Sequence, residues 1–363
     1  MNVHILQVGP GHGQKGGIAS VLSQLAAQRN QFERAGIFIS FFETRAFRSI
    51  GGLLAFGLID VPCFVRAASR ADVVHFHVSE RGSFYRKFVL FLVSLLSGKR
   101  TVFHLHSGNF ERFFNRSDWL TRQLAETFIR KADCVITVST PIARWLQRWR
   151  HTDKVHVLGN MALDAEHSVP APPLLVNQRP YIAFAGRLSE AKGLDDLFRA
   201  VADLTRKGRD IELRIAGTGD TQRWKRIAAA HGIADRVIFE GWLNGNAKLA
   251  FYSGAHLFCM PSHFESFGIA TLEAMFCGRP VVGTRLGGFL DLVEDGVSGY
   301  LVDAHNPQAL AEALRKLVDD PERALHMGCA GLTRAQTCFR ASLIVDRYVQ
   351  CYQNIAARGV GEP

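Results

Sequence analysis

The sequence predicts a two-domain α/β protein in which each domain is a doubly wound parallel sheet. Three observations lead there. The chain has 363 residues, and single hydrophobic cores stop growing near roughly 250–300 residues. Short β-rich runs alternate with amphipathic or apolar helical stretches, the pattern of parallel strands covered on both faces. A proline-rich break, VPAPP at Val169–Pro173, interrupts that rhythm once, and the rhythm then restarts.

In the first half the strand candidates are Val3–Gly9, Ile37–Phe41, Val73–His77, Thr101–His106, Cys134–Ser139 and Val155–Gly159. The first runs into the glycine-rich GHGQKGGIAS, Gly11–Ser20, and then a helix-like IASVLSQLAAQ. Arg86–Arg100, RKFVLFLVSLLSGKR, has an apolar core from Phe88 to Leu96 between basic flanks. It reads as a helix buried against the sheet, with an interfacial element on anionic lipid as the alternative. It is too short to span a bilayer, and no stretch is expected to reach the roughly 18–20 apolar residues that spanning takes. FERFFNRSDW, Phe110–Trp119, mixes exposed-looking aromatics with arginines and reads as a dock for an acceptor or a membrane surface.

In the second half the strand candidates are Tyr181–Gly186, Glu212–Gly217, Val237–Gly241, Leu257–Pro261, Pro280–Thr284 and Tyr300–Asp303. The expected organisation is an N-terminal domain over 1–168, a linker over 169–178 and a C-terminal domain over 179–340. A last helix follows in 341–363, roughly Ala341–Ala357, expected to pack back on the first domain. Two such sheets would leave a cleft between the carboxyl ends of their strands, where open α/β sheets bind ligands.

At 47% apolar and 21% charged residues, the composition is that of an ordinary globular chain. The N-terminus enters a strand directly, without a basic n-region or cleavage site. Seven cysteines without a C-x-x-C argue against a disulfide framework or zinc knuckle; they are expected to be small buried hydrophobes in a reducing compartment, which places the protein in the cytoplasm. Charge is lopsided. Residues 1–160 carry 21 Lys and Arg against 10 Asp and Glu, and residues 161–363 carry 22 against 23. Such a basic half suits anionic lipid or a phosphorylated substrate, or serves solubility alone. Nucleic acid is not expected, for want of RNA-stacking motifs or a recognition helix.

The motif with the most chemistry is HFESFGIATLEA, His263–Ala274. It leaves a strand and enters a helix, with Ser266 the expected N-cap. The amides of Phe267, Gly268 and Ile269 would then be donors beside a partly positive helix end, suited to a phosphate or a hydroxyl-rich ligand. Glu265 on the loop and Glu273 two turns inside the helix could each accept from sugar hydroxyls; two surface glutamates on an ordinary helix are the plain alternative. Upstream, GRLSEAKG sets Arg187 and Lys192 just past a strand end, where two cations can neutralise a diphosphate. AGTGD, with Gly217, lets backbone crowd a ligand, and GRPVVGTRLGG ends in the pair Gly287–Gly288.

Together, GRL-x3-KG, AGTG, PS-x2-ESFG-x4-E-AM-x2-G-RPVV and GG-x5-E-x-G-x2-GYLV resemble, in that order, the retaining glycosyltransferases of family 4, which have the GT-B fold. The resemblance is strong from Tyr181 to about Asp303 and diffuse before it. It implies that Arg187 and Lys192 hold the donor diphosphate, that Glu273 holds the donor ribose, and that Glu265 faces the transferred sugar. Phe267 and Gly268 would offer backbone contacts, and Gly241–Asn244, with Leu243, would cradle the nucleotide base. The glycine pair leads to Asp291 where the family usually has a glutamate.

In the first half, Gly16 and Gly17 open a helix and could supply amides to an anion, with a plain strand–helix turn as the alternative; the resemblance implies that they approach donor phosphates and acceptor. His75 and His77, like His104 and His106, alternate on one face of a strand. No carboxylate or cysteine accompanies them at ligand spacing, so no metal site is expected. His106 resembles the family histidine that lines the cleft near the transferred sugar, and the other three read as packing or cleft-edge residues.

The expected function is transfer of a sugar from a nucleotide-diphosphate sugar to an acceptor hydroxyl, with retention by resemblance, and with a glycan or lipid-linked acceptor of polysaccharide biosynthesis. His106, Arg187, Lys192 and Glu265 would serve catalysis. No cofactor is expected beyond the sugar nucleotide, and the lack of Asp-x-Asp suits a metal-independent site. A peripheral seat on an anionic membrane surface goes with the basic half. Two alternatives stay open: a sugar-nucleotide epimerase or hydrolase on the same fold, and a non-catalytic scaffold of a polysaccharide assembly complex.

Overall fold

A computed structural model of the chain describes residues 2–11, 16–45, 49–150, 155–162 and 179–357. The expected linker at 169–178 and part of the glycine-rich loop, 12–15, lie outside the described residues. The chain divides into two compact units, Met1–Met161 with Ala341–Pro363, and Ala162–Arg340.

The first unit holds a six-stranded sheet of β1 (Val3–Gly9), β2 (Ile37–Glu43), β3 (Val73–Val78), β4 (Arg100–Leu105), β5 (Cys134–Thr137) and β6 (Val155–Val157), ordered β2-β1-β3-β4-β5-β6. Every pairing is parallel, with Val3 opposite Ile37 and Ile5 opposite Val73. All six residues of β3 are buried, as an unbroken apolar run in a strand covered on both faces requires. The helix Ala341–Ala357 packs against β1, β3 and the helix Arg29–Arg34, burying Ile344, Val345, Tyr348 and Tyr352. Gln31 Nε2 fastens its first turn by donating to Ser342 O at 3.1 Å and Asp346 Oδ1 at 3.0 Å.

The second unit repeats the architecture with β7 (Tyr181–Ala185), β8 (Glu212–Ala216), β9 (Val237–Gly241), β10 (Leu257–Met260), β11 (Val281–Thr284) and β12 (Gly299–Val302). Their order is β12-β11-β10-β7-β8-β9, again all parallel. The helix Leu194–Arg206 buries Leu194, Leu197, Phe198, Val201 and Leu204, one stripe at helical period, and packs on the helix Pro307–Val318. In each sheet the chain reverses its direction of travel once, between β1 and β3 and between β7 and β10. Loops leaving the carboxyl ends of such neighbours diverge, which opens room for a ligand.

Three expectations need correcting. One helical run, Ile50–Ser69, is long and apolar enough to cross a membrane, with a mean hydropathy of 1.6 in its best window. Glycines, Pro62, Asp60 and Arg66 hide it in the sequence, but the backbone stays helical through Pro62 by way of a wider π turn at Phe56–Asp60. In Phe110–Trp119 the aromatic rings mostly point inward: Phe110 and Phe114 are buried against Trp145, and only Trp119 is strongly exposed. Of the cysteines, Cys134, Cys259, Cys277 and Cys351 are buried as expected, whereas Cys63 and Cys329 are exposed. The Arg86–Arg100 segment forms the helix Gly82–Leu96, which buries Phe84, Phe88, Leu90 and Phe91 but leaves its opposite side bare.

Candidate functional site

In the second unit the site grows from the two strands that flank the sheet's reversal point. β7 ends at Ala185, and after Gly186 comes Arg187, exposed and without an ion pair among the described residues. A single 3-10 turn, Glu190–Lys192, then carries Lys192 back, and Gly193 starts the next helix. β10 leads through Pro261 and Ser262 to Glu265. His263 N donates to Ala191 O at 2.9 Å, so the two loops share a hydrogen bond. Across that junction Lys192 Nζ donates to Glu265 Oε2 at 2.6 Å, with both side chains mostly buried. The other carboxylate oxygen accepts the Ser266 amide at 3.2 Å. A short, half-desolvated ion pair of this kind holds both charges in one geometry.

Ser266 does not cap the helix. The helix is Ile269–Phe276, its N-cap is Gly268 in the left-handed region at φ 101, and no side chain caps it. The extra residues between Glu265 and the helix form a turn that only glycine enters cheaply, which shifts the start by two residues. The Phe267 side chain is buried, edge-on to Phe339 at 5.6 Å, so its backbone alone is available. The glycine pair holds this turn from behind. A Cβ on Gly287 (φ 53) would sit 1.8 Å from Glu265 O, and one on Gly288 would sit 2.3 Å from Phe267 Cα. Gly217 (φ 148) serves β7 the same way, since a Cβ there would meet Gly186 O at 1.8 Å.

Glu273 is not a solitary carboxylate. Lys248 Nζ donates to its Oε1 at 2.7 Å and the Tyr252 hydroxyl to its Oε2 at 2.8 Å, both from the helix Gly245–Ser253. Burial, and then the neighbouring carboxylate, push the Tyr252 hydroxyl well above its ordinary pKa, so it stays a donor. Leu243 is half-buried in the loop before that helix, next to Trp242, whose Nε1 donates to Asn244 Oδ1 at 2.8 Å. Asp291 is half-buried in the short helix Phe289–Leu292.

In the first unit the four histidines form one hydrogen-bonded chain. Gln7 stands at its centre: Nε2 donates to Tyr352 Oη at 2.8 Å, and Oε1 lies 2.8 Å from His77 Nε2. With the amide so placed, His77 is protonated on Nε2, and its Nδ1 accepts from His106 Nε2 at 2.8 Å. On the other side Tyr352 gives its proton to His75 Nδ1 at 2.7 Å, and His75 Nε2 donates to His104 Nδ1 at 3.1 Å. His106 is thereby left with an unprotonated Nδ1. His104 Nε2 is buried with no hydrogen-bond partner. Burial is the largest cause lowering the pKa of all four rings, with His106 brought down to about 3, so they are neutral at physiological pH. His75, His77 and His104 come within 4.8 Å of one another, but both nitrogens of the first two are already engaged. His77 therefore orients His106, while His75 and His104 extend the chain on the far side of Gln7 and Tyr352. Gly16, at φ 152, precedes the helix Gly17–Ala27; both glycines are exposed and a Cβ on either would meet open space.

Comparison with known proteins decides the family. The Glycosyl transferases group 1 family matches residues 169–334, and Glycosyltransferase Family 4 matches residues 2–162. An alpha-maltose-1-phosphate synthase of Mycolicibacterium smegmatis is 32% identical over 328 residues, covering 81% of each chain. The chain belongs to the family 4, group 1 glycosyltransferases. An alpha-D-kanosaminyltransferase of Streptomyces kanamyceticus is 29% identical over 266 residues, 69% of this glycosyltransferase and 68% of that protein. A D-inositol 3-phosphate glycosyltransferase of Catenulispora acidiphila is 35% identical, but only 46% of its length is covered. Among solved structures, HepE of Anabaena, in complex with UDP and glucose, matches at a TM-score of 0.77 and 20% identity over 97% of this chain and all of its own. Sucrose-phosphate synthase of Thermosynechococcus elongatus matches at a TM-score of 0.78 and 20% identity, over 98% of this chain and 100% of that one. The glycosyltransferase has the GT-B fold, two Rossmann-like domains.

Sequence reasoning missed several residues of this enzyme's candidate site. Lys248 and Tyr252 lie four apart on one helix face, a spacing that signals a shared partner. His263 Nε2 bonds Asp196 Oδ2 at 2.7 Å and its ring lies over His305 at 3.7 Å, so Asp196 steadies the loop that carries Glu265. Gln7 and Tyr352, 345 residues apart, had no local signal at all.

Proposed function

We propose that this glycosyltransferase takes a sugar from a nucleotide-diphosphate sugar and transfers it, with retention, to a hydroxyl of a glycan or lipid-linked acceptor in surface-polysaccharide assembly. The observation that carries the reading is the junction after β7 and β10, where Lys192 and Glu265 meet at 2.6 Å. A departing diphosphate needs cations that are already in place, and Lys192 and the exposed Arg187 supply them. Glu265 would receive hydroxyls of the transferred sugar, with Phe267 and Gly268 amides beside it. Glu273, set by Lys248 and Tyr252, would take the ribose diol, Leu243 would border the base, and Gly217 would admit the donor backbone-close. In the first unit, His106 and the amides of Gly16 and Gly17 are further candidates for contact with sugar and phosphate. Held geometry contributes to the acceleration alongside charge stabilisation of the departing diphosphate, and no carboxylate in this set need attack the anomeric carbon, which suits front-face transfer. HepE, solved with UDP and glucose, supports a nucleotide-sugar donor. The basic first half supports work at the cytoplasmic face of a membrane.

The test is a donor screen. Purified protein is given a panel of uridine, guanosine, adenosine and thymidine diphosphate sugars with a membrane extract as acceptor source, and nucleotide release is followed. The reading expects release from one donor and its loss in Lys192→Ala. No release from any donor by folded protein overturns it.

A further inference from the structure

The run Ile50–Ser69 presents an apolar face for which the unit has no use. Its buried residues are Phe56, Asp60, Phe64 and Ala68, four apart, a single stripe. Phe64 fixes that stripe to the sheet, with its ring 5.3 Å from Phe42 and 6.3 Å from Phe76. The rest of the helix is also apolar and is bare: Ile50 is 80% exposed and Leu58 76%, and Leu53, Leu54 and Ile59 are each more than half exposed. The helix Gly82–Leu96 lies alongside and adds Tyr85, Val89, Leu92 and Leu96, one stripe at helical spacing. Among the described residues, 12 of the 18 exposed large hydrophobic side chains fall between Ile50 and Leu120. Scattered exposed leucines need no explanation, but a concentration of this kind marks an interaction surface.

Charge says what covers it. Residues 1–160 hold 21 basic against 10 acidic side chains. Asp60, the one acidic group on the run, is turned inward and paired with Arg45 at 3.1 Å, while Arg66 and Arg70 are exposed at its end. A second copy of this chain would meet the same positive surface. An anionic bilayer supplies both an apolar interior and opposite charge. A stripe anchored in the domain is incompatible with crossing the membrane, so the run lies along it.

We propose that Ile50–Ser69 is the membrane-docking element of this glycosyltransferase, lying flat on an anionic bilayer with Ile50, Leu53, Leu54, Leu58 and Ile59 inserted among the acyl chains and Arg66 and Arg70 at the headgroups. The purpose of docking rests on the proposed lipid-linked acceptor; the docking itself does not. This moves the membrane contact away from Arg86–Arg100 as a whole and from the phenylalanines of Phe110–Trp119.

The experiment is flotation of the full chain with vesicles of phosphatidylcholine alone and of equal parts phosphatidylcholine and phosphatidylglycerol, alongside the exposed-site double variant Leu54→Gln/Leu58→Gln. The expected result is flotation with the anionic vesicles, weaker at high salt, and reduced at least about tenfold in the variant. Unchanged circular dichroism and unchanged nucleotide release in detergent would show that the variant keeps its fold and site. Wild-type protein that stays at the bottom of the gradient overturns the proposal. So does a variant that floats equally, or one whose only change is from dimer to monomer in sedimentation. Flotation without transfer to any lipid extract would leave docking standing and sink the acceptor reading alone.

Discussion

Lys192 Nζ and Glu265 Oε2, 73 residues apart, are held 2.6 Å from each other at the junction of the two loops that leave β7 and β10. Lys192→Ala is expected to lower turnover on the order of 10²–10³-fold, the cost of losing one prearranged donor to developing charge. The fold should persist, because Glu265 keeps the Ser266 amide and a Ser262 hydroxyl at 3.5 Å. Nucleotide release and circular dichroism on the same preparation check both halves, and full turnover in the variant would refute the role.

Glu273 depends on two donors, and they can be removed one at a time. Tyr252→Phe deletes the hydroxyl that binds Oε2 and leaves Lys248 on Oε1. If Glu273 grips the donor ribose, the donor KM should rise about tenfold while kcat changes little, the mark of lost uniform binding. An equal fall in kcat and kcat/KM would place Glu273 in the chemical step instead.

The Gln7 amide decides where every proton in the histidine chain sits, and turning it over would reverse them all. Tyr352→Phe removes the hydroxyl shared by Gln7 and His75, leaving two buried polar atoms unpaired at a cost of about 2–4 kcal/mol. Urea unfolding measures that loss. With His106 free to adopt its other tautomer, turnover should fall and its pH profile should change shape. A stability loss with an unchanged profile would mean that the network only packs.

Unfolding should take up protons across two ranges of pH. His75, His77, His104 and His106 remain neutral in the fold, well below the ordinary value of 6.5. Below that value the unfolded chain binds protons that the native state refuses, so stability falls as pH drops from about 6.5 toward the His106 value of about 3. Lys87, lowered by burial from 10.5 to about 7, acts in the same sense higher up, and stability rises between those values. Lys87→Met should therefore stabilise the protein at pH 7 and below, by at most roughly 5 kcal/mol, and flatten the upper rise. Denaturation midpoints from pH 5 to 10 test both slopes; a variant that keeps the upper rise would contradict the assignment to Lys87.

Much of this architecture was legible because parallel strands buried on both faces announce themselves as apolar runs: VVHFHV and CVIT needed no context. Arg187, Lys192 and Glu265 stood out because they sit in short motifs just past strand ends, and Glu273 because it follows Glu265 in the same motif, inside the helix. The capping residue did not, since Gly268 takes over from Ser266 by a left-handed turn that is set by Phe289 and Leu292 packed behind it. Ile50–Ser69 escaped notice because its glycines, Asp60, Pro62 and Arg66 break up the apolar run, and its exposure is visible only in the fold. Lys248 and Tyr252 gain meaning only from a carboxylate 25 and 21 residues further on.

The contact of Gly287 and Gly288 with the backbone of Glu265 and Phe267 also bears on remodelling of the enzyme. No side chain of any size fits between these segments, so the turn that carries Glu265 has a fixed back wall and can be altered only from its open side. Combinatorial libraries meant to change which sugar is accepted would waste most of their members by randomising the glycine pair. Diversity placed at Ser266, with the glycines and the Asp196-bound His263 held constant, leaves that wall intact.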